Sequence, residues 1–295
     1  MIFSISNRSP LPRREWGLFS CLLCLLLFLP AAHAAPQRII SLAPALTELS
    51  YAAGLGDRLV AVTAYSDYPV EAQRLPRVGD AFRLDWERLV ALKPDWVLAW
   101  GSGLSARDRA RFGRLGIPLL IVEPRRLDDI PAALRLLGKE GGTEAIAEAA
   151  AREFEQQQAE LAARHASQPP LHVWLQIADA PLLTVNGQHI LSEVLRLCGA
   201  KNVFADAPLL TPAVSTEALL AARPQLLLAL ADTPQQEAAI RTTWARLPLQ
   251  AQTGIISPDL LSRPGPRLLQ GAAAVCRQVE QARMGLARRN SPQVP

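Results

Sequence analysis

Histidine and cysteine, which bind metals, are scarce in this sequence of 295 residues, with 4 of each. Aromatic side chains are also few, at 5% of residues. Beyond the N-terminal region the histidines are His165, His172 and His189, which lie in separate predicted elements without the spacing of metal ligands. We therefore predict no metal site. His189 lies at a predicted turn-to-helix junction, where it either faces a cleft or is an ordinary surface histidine.

Catalytic motifs are missing as well. The sequence has no G-x-S-x-G nucleophile elbow, no H-E-x-x-H zinc motif and no phosphate-binding loop with its lysine. Because a nucleophile, an acid-base pair, a phosphate cradle and a metal cluster are all lacking, we predict no catalytic residues. The formal net charge of +4 gives no basis for binding nucleic acid.

One long apolar run is present near the N-terminus, from Leu18 to Leu29, and arginines precede it. Its length of about 12 residues is that of a signal-peptide core and is too short for a comfortable membrane span. The small-x-small pattern Ala32-His33-Ala34 follows, so we predict that residues 1–34 are a signal peptide and that the remainder is exported. Two alternatives stay open, a twin-arginine signal at Arg13-Arg14 and lipidation at Cys21, although Cys21 lies early for a lipoprotein box.

Cleavage of the signal peptide leaves two cysteines, Cys198 and Cys276. An even number of cysteines in an oxidising compartment predicts a disulfide bond, and the alternative is two buried free thiols. A bridge that closes a loop of this length, about 80 residues, stabilises a protein by roughly 4 kcal/mol in the chain-entropy model.

From Arg38 onward, short apolar runs alternate with helical stretches, which is typical of βαβ units and mainly parallel sheets. The predicted strands are 38–42, 59–63, 95–100, 117–122, 171–177 and 254–257, with a further one in the repeated segment described below. The predicted helices are 45–53, 86–92, 106–115, 191–197 and 267–286, apart from a longer one in the middle of the chain.

That longer helix is predicted from Glu144 to about Ala166, with Thr143 as its N-cap. Roughly 23 residues make a rod of about 34 Å, long enough to cross a lobe. We expect an apolar stripe along it and predict that it connects two α/β lobes. The stripe consists of Ile146, Ala150, Phe154 and Leu161, and the predicted domains are 35–143, 144–167 and 168–295.

One segment occurs twice: LDWERLVALKPDWVLAW, starting at Leu84, returns as VSTEALLAARPQLLLAL, starting at Val214. Each copy predicts a short helix, a proline stop and a buried strand. Glu87 and Glu217 occupy the same place in the first helical turn, two residues after the likely N-caps Asp85 and Ser215. An acidic side chain there either stabilises the helix terminus, typically by roughly 0.3 to 1 kcal/mol, or contacts a partner. Two related lobes with one carboxylate each suggest symmetric docking.

Several of the few aromatic residues fall where a lobe would face a cleft: Tyr65, Tyr68, Phe82, Trp86 and Trp100. Trp100 ends a predicted strand, and ligands of open α/β sheets lie outside the carboxyl ends of strands. It is a candidate stacking wall, and the alternative for both tryptophans is a place in the lobe core.

In the second half, Asp259 and Arg263 follow the last predicted strand and should lie on the corresponding rim. Their side chains either hydrogen-bond a polar ligand or pair with each other at the surface.

Five segments together resemble one protein family. They are RIISLAPALTELSYAAG, AYSDYP, the two copies of the repeat, and VLRLCGAKNVF at 194–204. These segments, which span nearly all of the exported chain, resemble the helical-backbone (class III) periplasmic binding proteins for cobalamin, haem and iron-siderophores, and most closely the cobalamin-binding members.

The resemblance implies a fold of two Rossmann-like α/β lobes joined by one long α-helix, with little hinge motion. It also implies a corrinoid held in the cleft as transported ligand, with no cofactor, and a monomer that docks on an ABC importer permease dimer. Glu87 and Glu217 match the docking glutamates, and Cys198 and Cys276 match the family's disulfide. The pocket positions are matched by Tyr65 or Tyr68, Trp100, Asp259 and Arg263, with Phe82 beside them.

Three positions depart from the cobalamin-binding pattern. Ala81 and Thr211 replace tryptophans that precede the two docking helices, and Leu183 replaces a phenylalanine. Each lost ring removes an apolar wall, so the pocket is either wider or suited to another corrinoid such as a cobinamide.

We therefore predict a non-enzymatic periplasmic solute-binding protein that carries cobalamin or cobinamide to an ABC transporter. Two alternatives are kept: a haem or ferric-siderophore binding protein of the same fold, and an exported corrinoid-processing enzyme.

Overall fold

The computed structural model of the protein describes residues 35–290. The predicted signal peptide, residues 1–34, and residues 291–295 lie outside this range. Within the described range, no helix combines the length and the apolar character that a membrane span requires.

The first half of the described chain forms one parallel sheet with the strand order β2-β1-β3-β4. All three residues of β1, which lies between β2 and β3, are buried, as expected of an inner strand of a parallel sheet. The strands are β1 (Ile39–Ser41), β2 (Leu59–Val62), β3 (Trp96–Ala99) and β4 (Leu119–Ile121). The helices are α1 (Pro44–Ala52), α2 (Trp86–Ala91), α3 (Ala106–Leu115) and α4 (Asp129–Gly141), with short 3-10 turns at Gly56–Arg58 and Val70–Arg74.

The second half repeats this topology in a sheet of order β6-β5-β7-β8, again parallel throughout. Its strands are β5 (Leu171–Gln176), β6 (Ala200–Asn202), β7 (Leu226–Leu230) and β8 (Gln252–Ile256). Its helices are α6 (Ile190–Leu197), α7 (Thr216–Ala222), α8 (Pro234–Ala245), α9 (Pro258–Leu261) and α10 (Leu268–Asn290). The predicted fold class of two parallel-sheet α/β lobes is therefore confirmed.

The long helix α5 (Glu144–His165) lies between the two halves, as predicted, and its 22 residues span about 33 Å. The predicted apolar stripe is partly wrong, because Ile146 is 55% exposed. The buried apolar positions are Ala147, Ala151, Phe154 and Leu161, and His165 at the end of the helix is buried as well. A Cβ on Gly138 of α4 would lie 2.3 Å from the Cβ of Ala147, so α4 and α5 touch where both side chains are small, and this contact turns Ala147 inward.

Thr143 is the N-cap residue of α5, as predicted, although its side chain makes no capping hydrogen bond to the helix. Its hydroxyl donates instead to the carbonyl of Ala53, at 2.6 Å, and so ties the start of α5 to the end of α1.

A single cluster of buried apolar side chains runs through both lobes. It includes Leu46 and Leu134 from the first lobe, Phe154 from α5, and Leu175 and Val275 from the second lobe. The lobes therefore share a continuous core through α5.

The predicted disulfide between Cys198 and Cys276 is confirmed. It links the end of α6 to α10 across 78 positions of sequence, and the two Cα atoms are 4.7 Å apart. The bridge therefore closes most of the second lobe into a loop.

Candidate functional site

The two copies of the repeat adopt the same local structure. The Asp85 side chain accepts from the N–H of Arg88 at 3.0 Å and caps α2. Ser215 accepts from the N–H of Ala218 at 3.2 Å and caps α7. Both predicted N-caps are thus confirmed, and they leave the first turn of each helix exposed.

Both helices also end in the same way. Lys93 and Arg223 each have φ of 46°, in the left-handed region, and each precedes a proline. The left-handed conformation is uncommon for a residue with a side chain, so its presence at both equivalent positions shows that the repeat holds in the backbone as well as in the sequence.

Glu87 and Glu217 are exposed in the first turns of α2 and α7. Among residues 35–290, neither carboxylate takes part in an ion pair. Hydrogen bonds from its own N–H and from the Ser215 hydroxyl lower the pKa of Glu217, so this side chain is anionic at neutral pH. The repeat therefore presents two equivalent surface carboxylates, one on each lobe.

A pocket of about 480 Å³ opens at the carboxyl ends of the strands of the first lobe. Three of the predicted ligand residues, Tyr65, Phe82 and Trp100, line it together with backbone and side chains of the loops that follow β1, β2 and β3. Its volume lies in the ordinary range for small-molecule sites. Apolar rings at this edge of the sheet provide a surface suited to stacking against a flat ligand.

Two of these rings are held out toward solvent. Phe82 is 98% exposed and Tyr65 is 78% exposed. The Asp80 carboxylate accepts from the N–H groups of Phe82 and Arg83, at 2.8 and 2.9 Å, and fixes the turn that carries Phe82. Tyr65 has a φ of 63°, a conformation that a bulky residue rarely adopts. Strained residues cluster at functional sites, which supports the prediction that Tyr65 belongs to one.

Tyr68 does not line this pocket. Its ring lies beneath the guanidinium of Arg267, with 3.9 Å between the guanidinium carbon and the ring centre. The two residues belong to different lobes, so the structure places Tyr68 at the lobe boundary beside the pocket.

Arg263 and Asp259 also lie outside the lining of the pocket. The sequence left open whether they bind a ligand or pair with each other. In the structure they pair, with Arg263 Nη2 at 2.7 Å from the Asp259 carboxylate. Arg263 also binds Asp67 and lies 3.5 Å from Glu48, both in the first lobe. Its hydrogen bond lowers the pKa of Asp67, so the Asp67 carboxylate is anionic at neutral pH.

Trp86 packs against the core of the first lobe, which was the alternative to a place in the cleft. Its ring packs against Phe112 at 4.7 Å between centres, and Arg111 covers it at 4.4 Å. His189 is the N-cap of α6, where its Nδ1 accepts from the N–H of Leu191 at 3.1 Å, and burial lowers its pKa.

The three positions that depart from the cobalamin-binding pattern lie in different surroundings. Ala81 lines the pocket next to Phe82. Thr211 is exposed, and Leu183 is held by bridges to Ala178 and Ala213. Leu209 and Leu210, next to Thr211, were not singled out from the sequence. They are 64% and 51% exposed and precede α7 in the same way as the Phe82 turn precedes α2. The doubled leucine just before the second copy of the repeat was the available signal.

A larger hollow of about 650 Å³ lies beside the edge strand β6, between α6 and the end of α5. Its lining includes His165, Arg196 and Lys201 but none of the predicted ligand residues. Over the described part of the chain, no group of three or more histidine, cysteine or acidic side chains is arranged to hold a metal ion.

Comparison with known proteins gives consistent results. Residues 39–248 match the family model described as periplasmic binding protein. The chain is 40% identical over 265 residues to the vitamin B12-binding protein of Pectobacterium carotovorum, which covers 88% of this chain and 95% of that protein.

Solved structures show the same fold. The periplasmic vitamin B12-binding protein of Vibrio cholerae is 35% identical and superposes with a TM-score of 0.76, over 84% of this chain and 98% of that one. A periplasmic haem-binding protein from Pseudomonas aeruginosa is 27% identical with a TM-score of 0.73, over 82% and 91% of the two chains. Because the family model covers well over half of the sequence and the relatives match along nearly their whole length, this chain belongs to the periplasmic binding protein family.

Proposed function

We propose that the protein is a periplasmic solute-binding protein that captures a corrinoid, cobalamin or cobinamide, and delivers it to an ABC transporter. The observation that carries the proposal is the 40% identity to a vitamin B12-binding protein along 95% of that protein's length. We further propose that it acts by binding alone, without catalysis, and that the N-terminal signal peptide directs it to the periplasm.

The pocket fits such a ligand chemically. A corrin is a broad, nearly flat macrocycle with amide side chains, so it requires apolar surface for its face and polar groups for its edge. Trp100, Tyr65 and Phe82 supply rings, and polar groups of Asp80 and Asp108 lie in the same lining. Arg263 and Asp259 of the second lobe, and the ring of Tyr68 at the lobe boundary, are proposed to serve the rim of the cleft. In this proposal the corrinoid is cargo, and the protein holds no cofactor of its own.

Recovery of ligand from cells tests the corrinoid part. We expect protein purified without denaturation from cells supplied with cobalamin to carry the visible absorbance of a corrinoid, released chemically unchanged. Released ligand that is chemically altered would instead favour the corrinoid-processing enzyme. Haem or ferric siderophore in place of a corrinoid would favour the alternative of the same fold, with which the similarity to a haem-binding protein at 27% identity is compatible.

Glu87 and Glu217 are proposed to contact basic side chains of the permease dimer. They are equivalent by the repeat, exposed, and free of ion pairs within residues 35–290. A monomer with two equivalent carboxylates suits a partner with two equivalent subunits.

Charge reversal tests this docking. We expect Glu87→Arg with Glu217→Arg to abolish transporter-dependent uptake, because like charges would meet across the interface, while ligand affinity stays unchanged. The matched control is Glu144→Arg with Glu237→Arg, which changes the net charge equally and also lies in first helical turns. Uptake that survives in the first variant, or is lost equally in the control, would contradict the docking role.

A further inference from the structure

Two carboxylates, one from each lobe, form contacts across the lobe boundary, and the shared topology of the two lobes relates these contacts. Glu48 on α1, the first helix of the first lobe, receives arginines from the segment between the last strand and α10 of the second lobe. Glu193 on α6, the first helix of the second lobe, receives groups from the segment between β4 and α4 of the first lobe. Each lobe thus contributes one carboxylate and one arginine-bearing segment.

The Glu48 contact is buried and multiply bonded. Arg267 donates to both carboxylate oxygens, at 2.9 and 2.6 Å, and Arg263 lies at 3.5 Å. The Glu48 side chain is 2% exposed, and the two arginines are 15% and 11% exposed. Screening by water and salt is weak for such a group, and a two-point contact fixes orientation as well as distance.

The Glu193 contact is weaker. One oxygen accepts from the N–H of Leu127 at 2.7 Å, and the other lies 3.4 Å from Arg126. The Arg126 side chain is 65% exposed, so water competes for its charge. The related contacts therefore differ in strength.

The two arginines that bind Glu48 also contact residues proposed to form the rim of the cleft. Arg263 binds Asp67 and Asp259, and Arg267 covers the ring of Tyr68. The position of these rim residues therefore depends on where Glu48 holds the two arginines.

We propose that Glu48 is the positioning residue that sets the angle between the two lobes, with the related Glu193 contact as a secondary restraint. This goes beyond the transport function, since it concerns the free protein and needs neither ligand nor permease. A fixed angle keeps the rim of the cleft in place before any ligand arrives, which reduces the ordering that binding requires.

The test is the distance between spin labels on the two lobes, measured by pulsed electron paramagnetic resonance without ligand. Labels at Arg114→Cys on α3 and Thr242→Cys on α8 report the inter-lobe distance, since both positions are exposed and the native cysteines are paired. Labels at Arg74→Cys and Arg114→Cys report a distance inside the first lobe.

We expect Glu48→Gln to broaden the inter-lobe distribution and move it to longer distances, and Glu193→Gln to change it less. The distance within the first lobe should stay the same in both variants, which separates a change of lobe angle from general loosening. An inter-lobe distribution unchanged by Glu48→Gln, or altered more by Glu193→Gln, would overturn the proposal.

A second variant tests the proposal if Glu48→Gln fails to fold. Glu48→Met with Arg267→Met removes the charged pair together, a replacement that buried ion pairs often tolerate. We expect it to fold and to show the same longer inter-lobe distance. A folded double variant with the native distance would contradict the role of Glu48.

Discussion

Single aromatic residues from separate loops contribute to the apolar lining of the pocket. Tyr65 follows β2, Phe82 precedes α2 and Trp100 follows β3, and all three line the same space. Trp100 was predicted from its place at a strand end, because that edge of a parallel sheet is where ligands bind. Tyr68 illustrates what the sequence does not contain: its partner Arg267 lies in the other lobe, and only the folded chain brings them together.

Removal of the Trp100 ring should weaken corrinoid binding. Trp100→Ala deletes a wall of the pocket, and the loss of stacking and buried apolar area should cost about 2 kcal/mol, which is about a 30-fold rise in Kd. Calorimetric titration measures the change. Leu115→Ala, at an exposed position on α3 outside the pocket, is the control and should bind as the natural protein does. Equal affinities for both variants would exclude Trp100 from the site.

Glu48 was missed because its local sequence does not identify the residues that bind it. It lies among apolar and small residues of α1, where a lone carboxylate indicates burial with a partner but does not say which. The partners Arg263 and Arg267 are more than two hundred positions away, so the pairing is a property of tertiary structure.

Secondary structure elements with strong local signals were predicted well, and weaker ones were not. The bounds of α3 match the prediction, since Ser105 caps its start and Gly116 ends it in the left-handed conformation. Four elements were missed: β6 has only three residues, α4 carries a proline near its start, α8 buries little beyond Ile240 and Trp244, and α9 has only four residues. Their stability comes from packing against the rest of the lobe.

Helices α4 and α5 are joined by an ion network on their outer face. Arg135 of α4 binds Glu148 and Glu155 of α5, and Arg152 also binds Glu148. These hydrogen bonds lower the pKa of Glu148 to about 2. Because the folded pKa is depressed, the contribution of Glu148 to stability is present above its unfolded pKa and is lost as the pH falls toward 2.

Glu148→Gln should therefore lower the free energy of unfolding at neutral pH and have a diminishing effect as the pH falls from about 4.5 to about 2. Urea unfolding of both proteins across that range measures the difference. Glu153→Gln, on the same helix with Gln157 as its hydrogen-bonded neighbour, is the control and should change stability little. A difference between Glu148→Gln and the natural protein that is constant with pH would contradict the network.

At the scale of the whole molecule, alternating strands and helices were sufficient to predict two parallel-sheet lobes and the helix between them. The placement of the lobes was not predictable, because it depends on Glu48, Glu193 and a core shared through α5 rather than on any local pattern. The repeat predicted equivalent docking helices, and the caps and the left-handed ends at Lys93 and Arg223 show that the equivalence extends to the backbone.

The disulfide should contribute measurably to the stability of the second lobe. Reduction of the bridge between Cys198 and Cys276 reopens a loop of 78 residues, which should cost roughly 4 kcal/mol and lower Tm by about 10 °C. Thermal unfolding with and without reductant measures it. Cys198→Ala with Cys276→Ala should melt low in both conditions, and a natural protein whose Tm does not change when a reductant opens the bridge would contradict its stabilising role.

Calorimetric titration of the purified protein with cobalamin, cobinamide and haem tests the proposed function most directly. We expect saturable binding of one corrinoid per chain, tighter than any binding of haem, with Tm rising as the corrinoid concentration increases. A folded protein that gives no heat with either corrinoid, or that binds haem more tightly, would contradict corrinoid binding.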